Sequence, residues 1–278
     1  VDRAARLAHE TGAALTLVHA LPGGALAELR QWLGSGHASE KQLVEEANQQ
    51  LEGLAAELRS ARQVAVTTQL GSGAPVQQIG AAADAIDADL LVVGARGSGF
   101  LRRLALGTTA ERLLRRTTRP LLVVRQTAHE PYRRVLVALD FSPWSTPAIP
   151  LARRVAPHAR LVLLTVFQVP FEEKLRFAGV DAATVDHYRT QARAVATQRL
   201  HAAAHDAGLK PGHWDARVLE GEASQRIVEQ EQVSDCDLVV LGKHGRSAAE
   251  ELLLGSVTKH VLAEGGADLL VSTARAGA

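Results

Sequence analysis

Residues 237–245 read Asp-Leu-Val-Val-Leu-Gly-Lys-His-Gly, a short apolar run that ends in a glycine-rich loop. Residues 89–97 read Asp-Leu-Leu-Val-Val-Gly-Ala-Arg-Gly, and the two glycines that close these runs lie 148 positions apart (242 − 94 = 148). The same offset relates the glycines at 73 and 221, at 97 and 245, and at 107 and 255, and the apolar runs 121–123 and 269–271. A constant offset over about fifty residues indicates a duplicated domain.

The length of the chain agrees with two copies, because 278 residues correspond to two domains of about 150 residues each. Residues 126–132 are polar, contain Pro131 and show no apolar period, which is typical of a linker. We therefore predict a first domain over residues 1–128 and a second over residues 129–278.

The second copy alternates apolar runs with longer amphipathic or alanine-rich segments. Continuous apolar runs are typical of strands buried on both faces of a parallel sheet. The predicted order is strand 135–139, helix 142–155, strand 161–167, helix 182–207, strand 214–219, helix 224–233, strand 238–241, helix 256–263 and strand 269–272. This alternation predicts an α/β fold, a doubly wound, Rossmann-like parallel sheet of five strands in each copy.

The first copy repeats this order without its opening strand. Its predicted strands cover 15–20, 64–70, 90–93 and 121–124, and its predicted helices 1–10, 40–60, 75–86 and 108–116. Residues 1–10 correspond to the helix that follows the first strand of copy two. We expect the natural protein to carry roughly fifteen further residues upstream, ending in a strand like Val135–Asp140.

Composition excludes several classes of protein. Apolar residues make up 46% and charged residues 22%, as in a globular chain, and the net charge of +1 gives no general attraction to nucleic acid or to an anionic membrane. No apolar run approaches the roughly 20 residues that span a bilayer. The single cysteine, Cys236, has no internal disulfide partner, which favours the cytoplasm.

The glycines of both loops share one spacing. Nine residues separate Gly94-Ala95-Arg96-Gly97 from Gly107-Thr108-Thr109, and nine separate Gly242-Lys243-His244-Gly245 from Gly255-Ser256-Val257. Glycines directly after a strand let a ligand approach the backbone closely, and the first N–H groups of the following helix attract anions. The hydroxyl groups at 108, 109 and 256 can cap the helix or donate to a phosphate oxygen. The pattern predicts a phosphate site in each copy.

The repeated pattern Gly-x2-Gly-x9-Gly-(Ser/Thr) resembles the universal stress protein family, specifically its nucleotide-binding branch, over essentially the whole chain. The resemblance implies a sheet of strand order 3-2-1-4-5 in each domain, as in adenine nucleotide alpha hydrolase-like proteins. It also implies a nucleotide site in copy two. There, Asp140 is the acidic residue, and Val166 and Phe167 contact the edge of the adenine. Gly242, His244 and Gly245 form the ribose and phosphate loop, and Gly255, Ser256 and Val257 form the phosphate-binding helix start. The corresponding residues of copy one are Gly94, Arg96, Gly97, Gly107, Thr108 and Thr109, with no counterpart of Asp140, so its occupancy is left open.

The function that the resemblance implies is that of a cytoplasmic stress-response protein that binds an adenine nucleotide as a regulatory module and is not an enzyme. ATP, ADP and AMP, with or without Mg²⁺, stay open as ligands. The resemblance further implies that the two copies form an internal pseudo-dimer through their last strands, Leu121–Val124 and Leu269–Val271, which would otherwise be exposed apolar edges. Whether two chains then form a homodimer is left open.

Several alternatives stand beside this hypothesis. The glycines can serve tight turns alone, Asp140 can support slow nucleotide hydrolysis, or the protein can be an interaction scaffold that needs no nucleotide. The arginines of segment 96–125 are not interleaved with aromatic residues as on a nucleic-acid surface, since Phe100 is the single aromatic residue there, so we predict no nucleic-acid partner. We also predict no membrane partner. His201 and His205 have the spacing of a helical metal pair but no further ligands, so we predict no metal site. Neither these histidines nor any other residue is predicted to be catalytic.

Overall fold

Strands and helices alternate along the chain in the computed structural model, which describes residues 1–21, 37–95, 107–169, 177–245 and 254–275. The strands are β1 (Leu15–Leu21), β2 (Val66–Ser72), β3 (Leu91–Gly94), β4 (Leu121–Val124), β5 (Arg134–Ala138), β6 (Arg160–Phe167), β7 (Trp214–Glu220), β8 (Leu238–Gly242) and β9 (Asp268–Ser272). The helices are α1 (Asp2–Thr11), α2 (His37–Arg62), α3 (Pro75–Ala85), α4 (Thr108–Arg116), α5 (Ala148–Val155), α6 (Ala182–Asp206), α7 (Ala223–Val233) and α8 (Ser256–Glu264). The predicted α/β fold is confirmed.

The second domain has the strand order β7-β6-β5-β8-β9, which is the predicted order 3-2-1-4-5. All neighbours in this part of the sheet are parallel. Its central strand shows why the run from Val135 to Val137 is continuously apolar. Val135 and Val137 belong to one buried apolar cluster and Leu136 to another, because successive side chains point to opposite faces of a sheet that helices cover on both sides.

The last strands of the two domains pair, as the sequence analysis expected. β4 lies antiparallel to β9, with Leu121 opposite Val271, Leu122 opposite Leu270 and Val123 opposite Leu269. All six side chains are buried. The pairing extends the sheet of the second domain by β4 and β3 and removes two apolar edges from solvent.

The first domain is divided between two sheets. β1 and β2 form a separate parallel pair, whereas β3 and β4 continue the sheet of the second domain. By the repeat, β1 corresponds to β6 and β3 to β8, the two strands that flank β5 in the second domain. No strand takes the place of β5 between β1 and β3 in the described part of the first domain, so the two pairs are not joined by strand hydrogen bonds.

One predicted helix starts six residues late. The sequence predicts a helix from Ser142, but residues 142–147 form turns and α5 begins at Ala148. The Ser142 carbonyl accepts hydrogen bonds from the Ser145 amide (3.1 Å) and from Thr146 Oγ1 (3.0 Å). These local bonds compete with a regular helix, and Pro147, which has no N–H group to donate, immediately precedes α5.

Cys236 packs as a small apolar residue at the start of β8, with 7% of its surface exposed. Burial raises the pKa of its thiol to about 12, so the thiolate is scarce at neutral pH. We expect 5,5′-dithiobis(2-nitrobenzoic acid) at pH 8 to leave the native protein unlabelled and to label one thiol in guanidinium chloride. Rapid labelling of the native protein would show that this end of β8 opens.

Candidate functional site

The candidate site lies at the carboxyl ends of the parallel strands of the second domain. Residues that follow β5, β6 and β8 meet there, because the carboxyl ends of parallel strands lie along one edge of a sheet. The N-terminus of α8 starts beside the end of β8, since the Gly255 amide donates to the Lys243 carbonyl (3.1 Å). The geometry therefore places loop, helix start and strand ends together.

Asp140 faces the glycine loop. Its Oδ1 accepts a hydrogen bond from the Ser142 amide (2.9 Å), which fixes the carboxyl group in a short turn. Its Oδ2 lies 3.1 Å from the position that a Cβ atom on Gly245 would occupy. The intervening Phe141 has a φ of 61°, a region that bulky residues seldom adopt. Two residues that the sequence analysis assigned to one site, Asp140 and Gly245, are thus neighbours.

Close backbone packing explains the glycine at the end of β8. A Cβ atom on Gly242 would lie 2.7 Å from the carbonyl oxygen of Trp144, closer than non-bonded atoms approach. Thr258 Oγ1 on α8 donates to the Gly242 carbonyl (3.1 Å) and holds the strand end against the helix. Gly242 is therefore required by packing, whatever ligand binds nearby.

The candidate site includes the first turn of α8, which begins at Ser256. Gly255 is its N-cap residue, with extended backbone and no capping hydrogen bond from a side chain in the described part of the chain. Ser256 is exposed and Val257 half-buried. Two of the predicted site residues thus follow the N-cap at the beginning of the helix, where its amide groups attract anions.

His244 packs inward. Only 4% of its surface is exposed, and its ring meets that of Trp144 edge-on, with the ring centroids 4.6 Å apart. This contact could not be predicted from the sequence, because residues 144 and 244 lie far apart in the chain. The predicted contact of His244 with ribose or phosphate stays a prediction, and the packing shows that the ring also supports the loop.

A cavity of about 900 Å³ opens beside the end of β6. Val166 and Phe167, the predicted adenine-edge residues, line it, together with Phe141 after β5, Glu222 after β7 and one face of α6 that includes Arg199. The Arg199 guanidinium lies 4.6 Å from the centroid of the Phe141 ring. The volume of the cavity is within the range of small-molecule binding sites.

The charges of the cavity are of both signs. Burial pushes the pKa of Glu222 upward, but hydrogen bonds from Ser224 and from the Gln225 amide outweigh it, so this pKa lies below its ordinary value. Arg199 supplies a positive charge to the same cavity. Sequence reasoning missed Arg199, although the spacing of Tyr188, Ala192, Val195 and Arg199 along α6 marks a single helix face.

Comparison with known proteins identifies the family. The profile of the Universal stress protein family matches residues 1–125 and 131–272. The chain belongs to the universal stress protein family. This tandem universal stress protein is 31% identical over 186 residues to Universal stress protein Rv2005c of Mycobacterium tuberculosis, an alignment that covers 63% of this chain and 59% of the relative. The chain thus spans less than two thirds of the length of the relatives that it matches.

Solved structures support the same fold. Protein PA1789 of Pseudomonas aeruginosa, described as functionally unknown, aligns with a TM-score of 0.64 at 19% identity, over 96% of this chain and 85% of its own. A universal stress protein of Archaeoglobus fulgidus aligns with a TM-score of 0.60 at 18% identity, over 84% of this chain and 79% of its own. At these identities the alignments establish the fold and nothing more.

The first domain of this universal stress protein repeats part of the loop geometry. The Gly107 amide donates to the Ala95 carbonyl (2.8 Å), which matches the bond from Gly255 to Lys243 in the second domain. Gly94 ends β3, Gly107 is the N-cap residue of α4, and Thr108 and Thr109 form its first turn. Arg96 and Gly97 lie outside the described residues.

Two other sequence predictions concern membranes and metals. No helix in the described ranges is long and apolar enough to cross a bilayer. His201 and His205 are both exposed, and the His201 ring packs edge-on against Trp214 with centroids 5.1 Å apart. The described residues contain no group of three or more His, Cys, Asp or Glu side chains that could hold a metal ion.

Proposed function

We propose that this universal stress protein binds ATP or a related adenine nucleotide at the carboxyl edge of its second domain, and that it acts in the cytoplasm as a regulatory binding module rather than as an enzyme. The observation that carries the proposal is the closeness of Asp140 to the glycine loop: its Oδ2 atom lies 3.1 Å from the position that a Cβ atom on Gly245 would occupy. An acidic residue, a glycine loop and a helix start converge there, next to a cavity of suitable size.

The phosphate end of the nucleotide is assigned to the loop and to α8. Gly242 and Gly245 keep side chains away from the backbone, and Gly255 with Ser256 opens a helix whose amide groups favour negative charge. The helix field alone contributes about 0.3–1 kcal/mol. Several hydrogen bonds from loop amides and the Ser256 hydroxyl must therefore provide most of the phosphate affinity.

The base end is assigned to the cavity. Val166 and Phe167 lie at the end of β6 and line it, so the backbone there can meet the edge of a purine. The Arg199 guanidinium lies over the ring of Phe141, and the two planar groups together line the cavity. Aromatic rings stack favourably on such surfaces.

Isothermal titration calorimetry with ATP·Mg²⁺, ATP in EDTA, ADP, AMP and GTP tests the proposal. We expect an adenine nucleotide to bind more tightly than GTP and, at a concentration 100-fold above its Kd, to stabilise the protein by about 2.7 kcal/mol in a thermal-shift assay. Absence of binding by all four nucleotides, with the protein folded, would rule the proposal out.

A phosphate-release assay separates binding from hydrolysis. We expect no phosphate release above the uncatalysed rate over several hours with ATP·Mg²⁺. Turnover that disappears in Asp140→Asn while ATP still binds would instead establish slow hydrolysis and overturn the non-enzymatic part of the proposal.

A further inference from the structure

Lys243 stands in the middle of the glycine loop, yet its side chain leaves the nucleotide site altogether. It is 93% buried, with only 7% of its surface exposed. Its ammonium group donates hydrogen bonds to the carbonyl oxygens of Arg115 and Thr117, each at 3.1 Å. Both acceptors lie at the C-terminal end of α4, which belongs to the first domain.

The chemistry of the two partners is complementary. The last carbonyl groups of a helix accept no hydrogen bond from an amide group of the same helix, and the helix dipole makes this end negative. An ammonium group that leaves water needs hydrogen-bond partners of this kind, because burying an unpaired charge is very costly. The C-terminal end of α4 is therefore a specific binding site for the Lys243 ammonium group.

The backbone of Lys243 is held as firmly as its side chain. Its amide donates to the Ser272 carbonyl on β9 (2.8 Å), and its carbonyl accepts from the Gly255 amide at the start of α8 (3.1 Å). Its neighbours, Gly242 and His244, are both predicted site residues. Movement of the Lys243 side chain is thus transmitted to the loop and to the helix start together.

From these contacts we infer that Lys243 is a positioning residue through which the first domain shapes the nucleotide site of the second. This inference rests on the proposed function. The corresponding residue in the first domain is Ala95, whose methyl side chain cannot make the equivalent contact with the second domain. The second site reaches its full affinity only when α4 of the first domain is in place.

Variants of the full-length chain test the inference by calorimetry with ATP·Mg²⁺. Lys243→Met removes both hydrogen bonds and should weaken binding by about tenfold or more, since hydrogen bonds to charged groups are the strong ones. Lys243→Arg keeps a charged hydrogen-bond donor of sufficient length and should restore the affinity to within about threefold of wild type. If Lys243→Met does not fold, Lys243→Gln takes its place in the test, because the glutamine side chain is also neutral and is shorter than that of lysine.

Two controls separate positioning from general loss of stability. Thr273→Val removes another hydrogen bond between the two domains, from Thr273 Oγ1 to the Thr118 carbonyl (2.6 Å), and leaves the glycine loop unchanged. Lys210→Met removes an exposed lysine near the opposite edge of the sheet. Both should bind ATP within about twofold of wild type. Equal affinity of Lys243→Met and wild type, or an equal loss in Thr273→Val, would overturn the inference.

Hydrogen exchange without nucleotide keeps this test independent of the proposed function. The peptide that covers residues 241–245 should exchange faster in Lys243→Met than in wild type, and at the wild-type rate in Lys243→Arg. If exchange changes in this way but wild type binds no nucleotide, the proposed function fails and the anchoring contact stands. If wild type binds nucleotide and exchange is unaltered in Lys243→Met, the anchor is refuted.

Discussion

Gly245→Val should lower the affinity of the second domain for ATP by about two orders of magnitude, the equivalent of ~2.7 kcal/mol. A Cβ atom at this position already lies 3.1 Å from Asp140 Oδ2, and the two methyl groups of valine add further volume against the carboxylate. The side chain would occupy the space above the loop into which the proposal places the phosphates. Calorimetry with ATP·Mg²⁺ measures the loss.

Gly53→Val is the matched control. Gly53 lies on the exposed face of α2, and a Cβ atom there would meet nothing within 4 Å. The same chemical change at this position should leave ATP affinity within about twofold of wild type and change stability by less than ~1 kcal/mol. Unaltered ATP binding by a folded Gly245→Val protein would place the phosphates elsewhere.

Most strands of the second domain could be predicted from sequence because they are short, continuous apolar runs; β7, which contains Asp215 and Arg217, is the exception. β5, for example, is buried on both faces, so its pattern carries no polar interruption. The repeat then gave the same elements in the first domain. The strand order and the pairing of β4 with β9 came from the family resemblance, since periodicity does not specify which strands become neighbours.

Several features of the site could not be predicted because they depend on contacts between distant parts of the chain. The ring of His244 meets Trp144 a hundred residues earlier, and the amine of Lys243 reaches Arg115 in the other domain. Nothing in the local sequence around the loop distinguishes these buried side chains from solvated ones. The late start of α5 had a local signal, the serines and prolines of residues 142–147, which sequence reasoning assigned to the helix instead.

Asp268→Ala should destabilise the whole protein by about 3–5 kcal/mol, because it removes the carboxylate of a buried ion pair and the acceptor of three hydrogen bonds. Asp268 has no exposed surface. Its Oδ1 accepts from the Arg125 and Gln126 amides (2.7 and 2.9 Å), and its Oδ2 accepts from the Tyr132 hydroxyl (2.6 Å). Arg3 Nε of the first domain lies 3.4 Å from the same carboxylate.

The loss should be large because every partner of Asp268 is left without its acceptor. Tyr132 and Arg3 are themselves buried, with the Arg3 guanidinium 4.0 Å from the centroid of the Tyr132 ring. Burial and the neighbouring negative charge raise the pKa of Tyr132, so its hydroxyl stays protonated and needs an acceptor. Urea unfolding followed by circular dichroism gives the change in free energy, and Asp268→Asn, which keeps one acceptor oxygen, should fall between Asp268→Ala and wild type.

Asp215→Ala separates this effect from the loss of an ordinary ion pair. Asp215 pairs with Arg160 at 2.6 Å on β6, but both side chains are partly exposed, so the loss should be at most about 1 kcal/mol. A change of similar size in Asp215→Ala and Asp268→Ala would contradict the prediction. It would mean that the structure around residue 268 relaxes and lets water reach the former partners of the carboxylate. A much larger loss in Asp268→Ala than in Asp215→Ala is the expected result, because the Asp268 carboxylate of β9 binds the linker through Gln126 and Tyr132 and lies beside Arg3 of α1.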